Sequence, residues 1–149
     1  DKPDDSVLFA VEKEHIRKLK KAILMTAGKA AQHYAMEIER EQEVLMNLAD
    51  MVIEVYTAES AILRSEKLAS KNGEAATEYK IAMSKLFLYQ AIKNCSQSGE
   101  EVILSFAEGD EQRMLLMGLK RFTKGYTINP KEMRRTIAGK LIEENKYCF

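Results

Sequence analysis

Apolar positions recur along this chain at steps of three and four, the spacing that lines one face of an α-helix. Ile16, Leu19, Ile23, Ala27, Ala30 and Tyr34 form a first stripe, and Leu45, Leu48, Val52, Val55 and Ile62 a second. The first helix is expected to start just after Asp4-Asp5-Ser6, whose side-chain oxygens can accept the unpaired amide protons of a first turn. The second stops near Asn72-Gly73, because glycine tolerates the left-handed conformation that ends a helix. One helix spanning both stripes would be about 100 Å long at 1.5 Å per residue, several times the width of a small domain. A break is therefore expected between Ala35 and Glu39, although no Gly or Pro marks it.

A third helix is expected from near Glu74, with Ile81, Leu88, Ile92 and Cys95 on one face and Met83, Phe87 and Ala91 beside them. Val102, Ile103 and Phe106 keep much the same phase, so this helix can continue through Gly99 before Gly109 ends it. Asp110 can cap a fourth helix carrying Met114, Leu115, Met117, Leu119 and Phe122, which Gly125 terminates. In "NPKE", Asn129 is the expected N-cap, Pro130 takes the first helical position and Glu132 can bond back; a short last helix follows through Met133, Ile137 and Leu141. Helices apolar on one side and joined by short connections predict a single all-α domain, an up-and-down bundle of about four main helices plus a short C-terminal one.

Composition agrees, with two prolines, no tryptophan and 31% charged residues among 149. The 23 basic and 23 acidic side chains cancel, so no net field draws the chain to nucleic acid. Cys95 and Cys148 are too few for a disulfide framework and are expected as thiols in a cytoplasmic compartment. No run reaches the roughly 20 apolar residues of a membrane span, and the start "DKPDDSVLFAV" lacks the features of a signal peptide. Beginning at Asp1 without Met suggests an excised or processed piece of a longer chain.

Four features bear on chemistry. Glu12, Glu14 and His15 contain one Glu-x-x-His spacing, a fragment of carboxylate-bridged metal sites, but the other histidine, His33, has Ala30 three residues before it, so no metal is expected. The eight methionines keep helical spacing and read as core filling rather than as a peptide groove. Lys13, Arg17, Lys20 and Lys21 lie mostly off the first apolar stripe and read as a solvated face. Glu59 falls in the middle of the second stripe, where a carboxylate needs a partner; Lys85, beside Ile81, Leu88 and Ile92, is expected to supply it as a structural ion pair, with Arg64 as a competitor.

"LADMVIEVYTAESAILRSEKLA" followed by "IAMSKLFLYQAIKNCSQSGEEVI" resembles the helical C-terminal region of acyl-CoA dehydrogenases. Glu59 and Lys85 match the charged positions of that pattern. From Glu41 onward the chain is similar to the extra C-terminal domain of the very-long-chain type, most specifically in "EQEVLMNLADMVIEVY" and in the tail "TINPKEMRRTIAGKLIEENKYCF". The resemblance implies a parent enzyme of fatty acid β-oxidation that dehydrogenates acyl-CoA thioesters with FAD. It implies an accessory domain packed on a flavin core in a homodimer, and this chain has no segment resembling that core. "FAEGDEQR" resembles the stretch that carries the family's catalytic glutamate, but only Asp110 and Glu111 separate Glu108-Gly109 from Gln112-Arg113, where the family has four residues. Two missing residues turn the downstream side chains by about 200° on a helix, so Glu108 is not expected to be a base and no catalytic or cofactor residue is assigned. The alternative is a helical module that docks on a bilayer or a protein through Lys13 to Lys21 or Lys131 to Lys140.

Overall fold

A computed structural model describes residues 7–149; the expected cap at Asp4-Asp5-Ser6 lies outside them. Five α-helices and no strand occur among the described residues: α1 Ala10–Tyr34, α2 Gln42–Asn72, α3 Glu78–Phe106, α4 Gly109–Thr123 and α5 Pro130–Glu144. The all-α expectation holds. Cross-helix contacts fix the topology. Lys13 meets Glu66 and Lys20 meets Glu59, Met51 faces Cys95, Gly99 faces Leu119, and Lys29 reaches Glu111. Each pair runs in opposite directions along its helices, which makes α1 to α4 an up-and-down four-helix bundle.

The expected break between Ala35 and Glu39 is a short 3₁₀ segment, Ala35–Arg40, and it has no sequence mark because tertiary contacts make it. Tyr34 donates its hydroxyl proton to the Ser105 carbonyl at 3.1 Å, and His33 stacks on Phe106 at 5.2 Å between centroids, which fixes the end of α1 against the end of α3. Ala35 then takes φ 47°, a strained value for a residue with a Cβ. Gly73, at φ 84°, ends α2 as its sequence position implies.

Inside the bundle, Leu19, Met51, Ile62, Leu88 and Ile103 are fully buried. The most extensive pairing, α2 on α3, is lined by Ala58, Ser65 and Ala69 on one side and Ser84, Ala91 and Cys95 on the other, residues small enough for close approach. The hydroxyls of Ser65 and Ser84 bond each other at 2.7 Å and also reach the Lys80 and Ala61 carbonyls, so this polar pair is satisfied. Gly99 is tolerated inside α3 for lack of room: a Cβ there would meet Leu119 Cδ1 at 2.9 Å. At the last helix, Asn129 accepts from the Glu132 backbone N–H at 3.2 Å as expected of an N-cap. α5 buries no residue fully, and Phe149 beyond it meets Tyr79 of α3 at 5.7 Å.

Three expected boundaries move, the first being α3, which starts at Glu78 rather than near Glu74, after a 3₁₀ turn Ala75–Thr77. α1 starts at Ala10, with buried Phe9 in the left-handed region at φ 63° as its N-cap and no side chain capping it. α4 starts at Gly109, with Glu108 rather than Asp110 at the cap, and Asp110 pairs instead with Arg113 at 2.8 Å.

Candidate functional site

The expected Glu59–Lys85 pair does not form; each residue has another partner. Glu59 lies on the α1 flank of α2 and pairs with Lys20 at 2.7 Å, while Arg64 stays exposed. The core-facing side of α2 is Met51, Val55, Ala58, Ile62, Ser65 and Ala69, and Val52, which the sequence placed beside Glu59 on an apolar stripe, is 51% exposed. The true face contains Ala and Ser, so weighting the larger apolar residues turned it away from its real direction.

Lys85 instead reaches a carboxylate that the periodicity could have singled out. Glu12 is in phase with Ile16, Leu19 and Ile23 and is buried, with 6% of its side chain exposed. Its Oε1 lies 3.5 Å from Lys85 Nζ and accepts a hydrogen bond from the Tyr126 hydroxyl at 3.0 Å. Tyr126 comes from the segment between α4 and α5, and its ring lies 5.1 Å from that of buried His15. Lys85 Nζ also sits 6.0 Å from the centre of the Phe9 ring. One cluster around buried Glu12 and His15 thus joins the start of α1, the first third of α3 and the α4–α5 connection.

Its electrostatics are those of a lock. Burial first, then the Glu12 charge and hydrogen bond, push the Tyr126 phenol far above its ordinary range, so it stays a donor. Burial, and then Lys18, hold the His15 imidazole below its ordinary 6.5, so it is neutral near pH 7, and its Nδ1 is buried without a hydrogen-bond partner. A groove of about 410 Å³ opens beside the cluster, bounded by Leu8, Phe9, Glu12, Lys85, Tyr126 and Met133. The α1 N-terminus at this groove already carries its own anion, Glu12, and Glu12 and Tyr126 satisfy each other. A flavin pyrophosphate would meet the buried Glu12 carboxylate there, so these residues do not fit FAD.

Glu108 is exposed at the cap of α4. Burial, and then the charge of Glu54, push the Cys95 thiol up to about 12, which makes it inert near neutrality. The described residues hold no group of three or more His, Cys, Asp or Glu placed to share a metal ion. Most of the basic ridge of α1 is compensated: Lys13 pairs with Glu66, Arg17 with Glu14 and Lys20 with Glu59, while Lys21 is exposed. Among the described residues no helix is long and apolar enough to cross a membrane.

Comparison with known proteins agrees with this helical fold. The family model for the acyl-CoA dehydrogenase C-terminal domain matches residues 18–121. A probable acyl-CoA dehydrogenase of Bacillus subtilis (strain 168) is 36% identical over 136 residues, which are 91% of this chain and 23% of that protein. An acyl-CoA dehydrogenase of Bacillus anthracis, crystallised in complex with FAD, matches 100% of this chain and 25% of its own at a TM-score of 0.94 and 32% identity. The chain therefore spans about a quarter of the length of these relatives.

Proposed function

The chain belongs to the acyl-CoA dehydrogenase C-terminal domain family, and from that premise we propose that it is the helical accessory domain of a longer FAD-dependent acyl-CoA dehydrogenase. The single observation that carries this reading is the fit of the whole chain onto one quarter of a flavin-bound dehydrogenase. In this reading residues 1–149 form one non-catalytic domain; FAD and the base that removes the substrate α-proton belong to the other three quarters. The role here is architectural, to pack on the flavin core and support a homodimer, and the very-long-chain type fits an enzyme that carries such an added domain. Exposed Met114 and Met117 on α4 supply apolar surface suited to a covering role. The Glu12–Tyr126–Lys85 cluster serves it by holding the α4–α5 connection against the bundle. The bilayer-docking alternative is disfavoured because three of the cations between Lys13 and Lys21, namely Lys13, Arg17 and Lys20, are engaged by Glu66, Glu14 and Glu59.

The test is the longer polypeptide that contains this chain, purified with and without these residues. The expected full-length protein is yellow and its flavin is bleached by a fatty acyl-CoA, and the truncated form keeps flavin but loses assembly or stability. A reading frame without a flavin-binding segment, or a colourless full-length protein, would overturn the proposal.

A further inference from the structure

α2 has an outer apolar stripe that the bundle leaves uncovered. Met46, Ala49, Ile53, Tyr56, Ser60 and Leu63 are all exposed and follow one another at steps of 3, 4, 3, 4 and 3. That alternation is the spacing by which one helix seats along another. Four of the six are large: Met46 is 65% exposed, Ile53 60%, Tyr56 72% and Leu63 51%. They form a line about 25 Å long at 1.5 Å per residue, unlike the scattered single apolar residues of an ordinary surface.

Two independent patterns indicate what covers this line. The sizes read the same from either end: large, small, large, large, small, large. If a second α2 is turned about a two-fold axis between Ile53 and Tyr56, Met46 meets Leu63, Ala49 meets Ser60 and Ile53 meets Tyr56. Large residues then fall opposite large ones, and the small pairs let the backbones approach. Charge follows the same symmetry. The approach to the stripe, residues 37–43, holds Glu37, Glu39, Glu41 and Glu43 against Arg40 alone. Its far end holds Arg64, Lys67 and Lys71 against Glu66, and Glu66 is already engaged by Lys13 of α1. Antiparallel copies bring the acidic end of one beside the basic end of the other, whereas parallel copies set like charges together.

We propose that α2 is a self-association surface: two copies of this chain pair antiparallel along the Met46–Leu63 stripe. Such a pair deepens the assembly part of the function proposed above and rests on that reading for its setting. It does not require the flavin core, because these residues enclose their own apolar core. A colourless longer polypeptide would remove the flavin reading while leaving self-pairing measurable in the 149-residue chain.

Sedimentation equilibrium of the 149-residue chain across micromolar to millimolar concentrations should show a reversible monomer–dimer equilibrium. Ile53→Glu, or separately Tyr56→Glu, should raise the dimer Kd at least about tenfold, since each copy loses one large buried side chain, with helical circular dichroism unchanged. Orientation is read by mixing Ala49→Cys and Ser60→Cys chains, both made with Cys148→Ser and with buried Cys95 retained. The mixed 49–60 disulfide should far exceed either symmetric one. A monomer throughout, insensitivity to both glutamate substitutions, or predominantly 49–49 and 60–60 disulfides would overturn the proposal. So would protection of the stripe within a monomeric longer polypeptide, which would assign the occupant to the rest of that polypeptide.

Discussion

At the scale of single residues, the buried carboxylate decides how the connection after α4 is held. Tyr126→Phe removes one hydrogen bond to a charged acceptor and should cost about 1.5 kcal/mol in urea unfolding. Glu12→Ala should cost more, about 2–4 kcal/mol, because it strands the Tyr126 hydroxyl and the partly buried Lys85 together. If Glu12→Ala proved no worse than Tyr126→Phe, the cluster would not be holding Lys85. His15 adds a pH dependence. Its folded-state pKa is depressed, so the unfolded chain binds the proton more readily and stability must fall as pH drops below about 6.5. Glu12, Glu14 and Lys18 also act on this imidazole. The expected outcome is that His15→Gln flattens the loss of stability between pH 7 and pH 5.5; an unchanged slope would assign that loss to other groups. The sequence exposed part of this cluster and hid the rest. Glu12 lies in phase with Ile16 and Leu19, a signal open to a helical wheel, whereas Tyr126 stands 114 residues away in a connection where no periodicity applies. Lys85 was legible as a cation beside an apolar face, but its partner depended on how α1 sits against α3.

At the scale of elements, boundaries were legible where the backbone itself makes them and obscure where packing does. Gly73 and the Asn129-Pro130 cap act through local conformational preference, and both appear where the sequence puts them. The turn after α1 is made by Tyr34, His33 and Phe106 contacts, so its sequence shows nothing. That origin is testable. Ala35 holds φ 47° with a Cβ, so Ala35→Gly should relieve strain and stabilise the protein by about 0.5–1 kcal/mol in thermal or urea unfolding, where glycine elsewhere in a helix would destabilise. A loss of stability would mean that Ala35 is not strained in solution. Gly99 poses the opposite case, a glycine kept for space. Leu119 Cδ1 at 2.9 Å and Met51 Cε at 3.3 Å surround its open side, and both residues are themselves buried. Gly99→Val should therefore cost about 2–3 kcal/mol through overpacking, despite replacing a poor helix former. Calorimetry that found the variant as stable as the parent would show that α4 can shift to make room.

At the scale of the whole molecule, neutral net charge and the placement of ion pairs govern what the surface attracts. Fold class was legible because three-and-four periodicity is repeated in each helix, whereas the direction of α2 was not, since that helix is apolar on two faces. The inner face, Met51, Val55 and Ile62, fills the bundle, and the outer one, Met46, Ile53 and Tyr56, meets solvent. A helix with two such faces suits a domain built to be covered. It does not suit one held to a bilayer by charge, because adsorption on anionic lipid needs unopposed cations at about 1 kcal/mol each. On α1 the cations Lys13, Arg17 and Lys20 are opposed within 2.9 Å by Glu66, Glu14 and Glu59, which leaves Lys18 and Lys21 and weakens that attraction. On α5 the cations Lys131, Arg134, Arg135 and Lys140 share one helix with Glu132, Glu143 and Glu144, and Lys131 and Lys140 have Glu132 and Glu144 beside them. Flotation with phosphatidylserine vesicles should accordingly recover less than about a tenth of the 149-residue chain at low ionic strength, where screening is weakest and attachment easiest. Substantial flotation that disappears in high salt would show that these ion pairs open at a charged surface, and the membrane-docking reading would replace the architectural one.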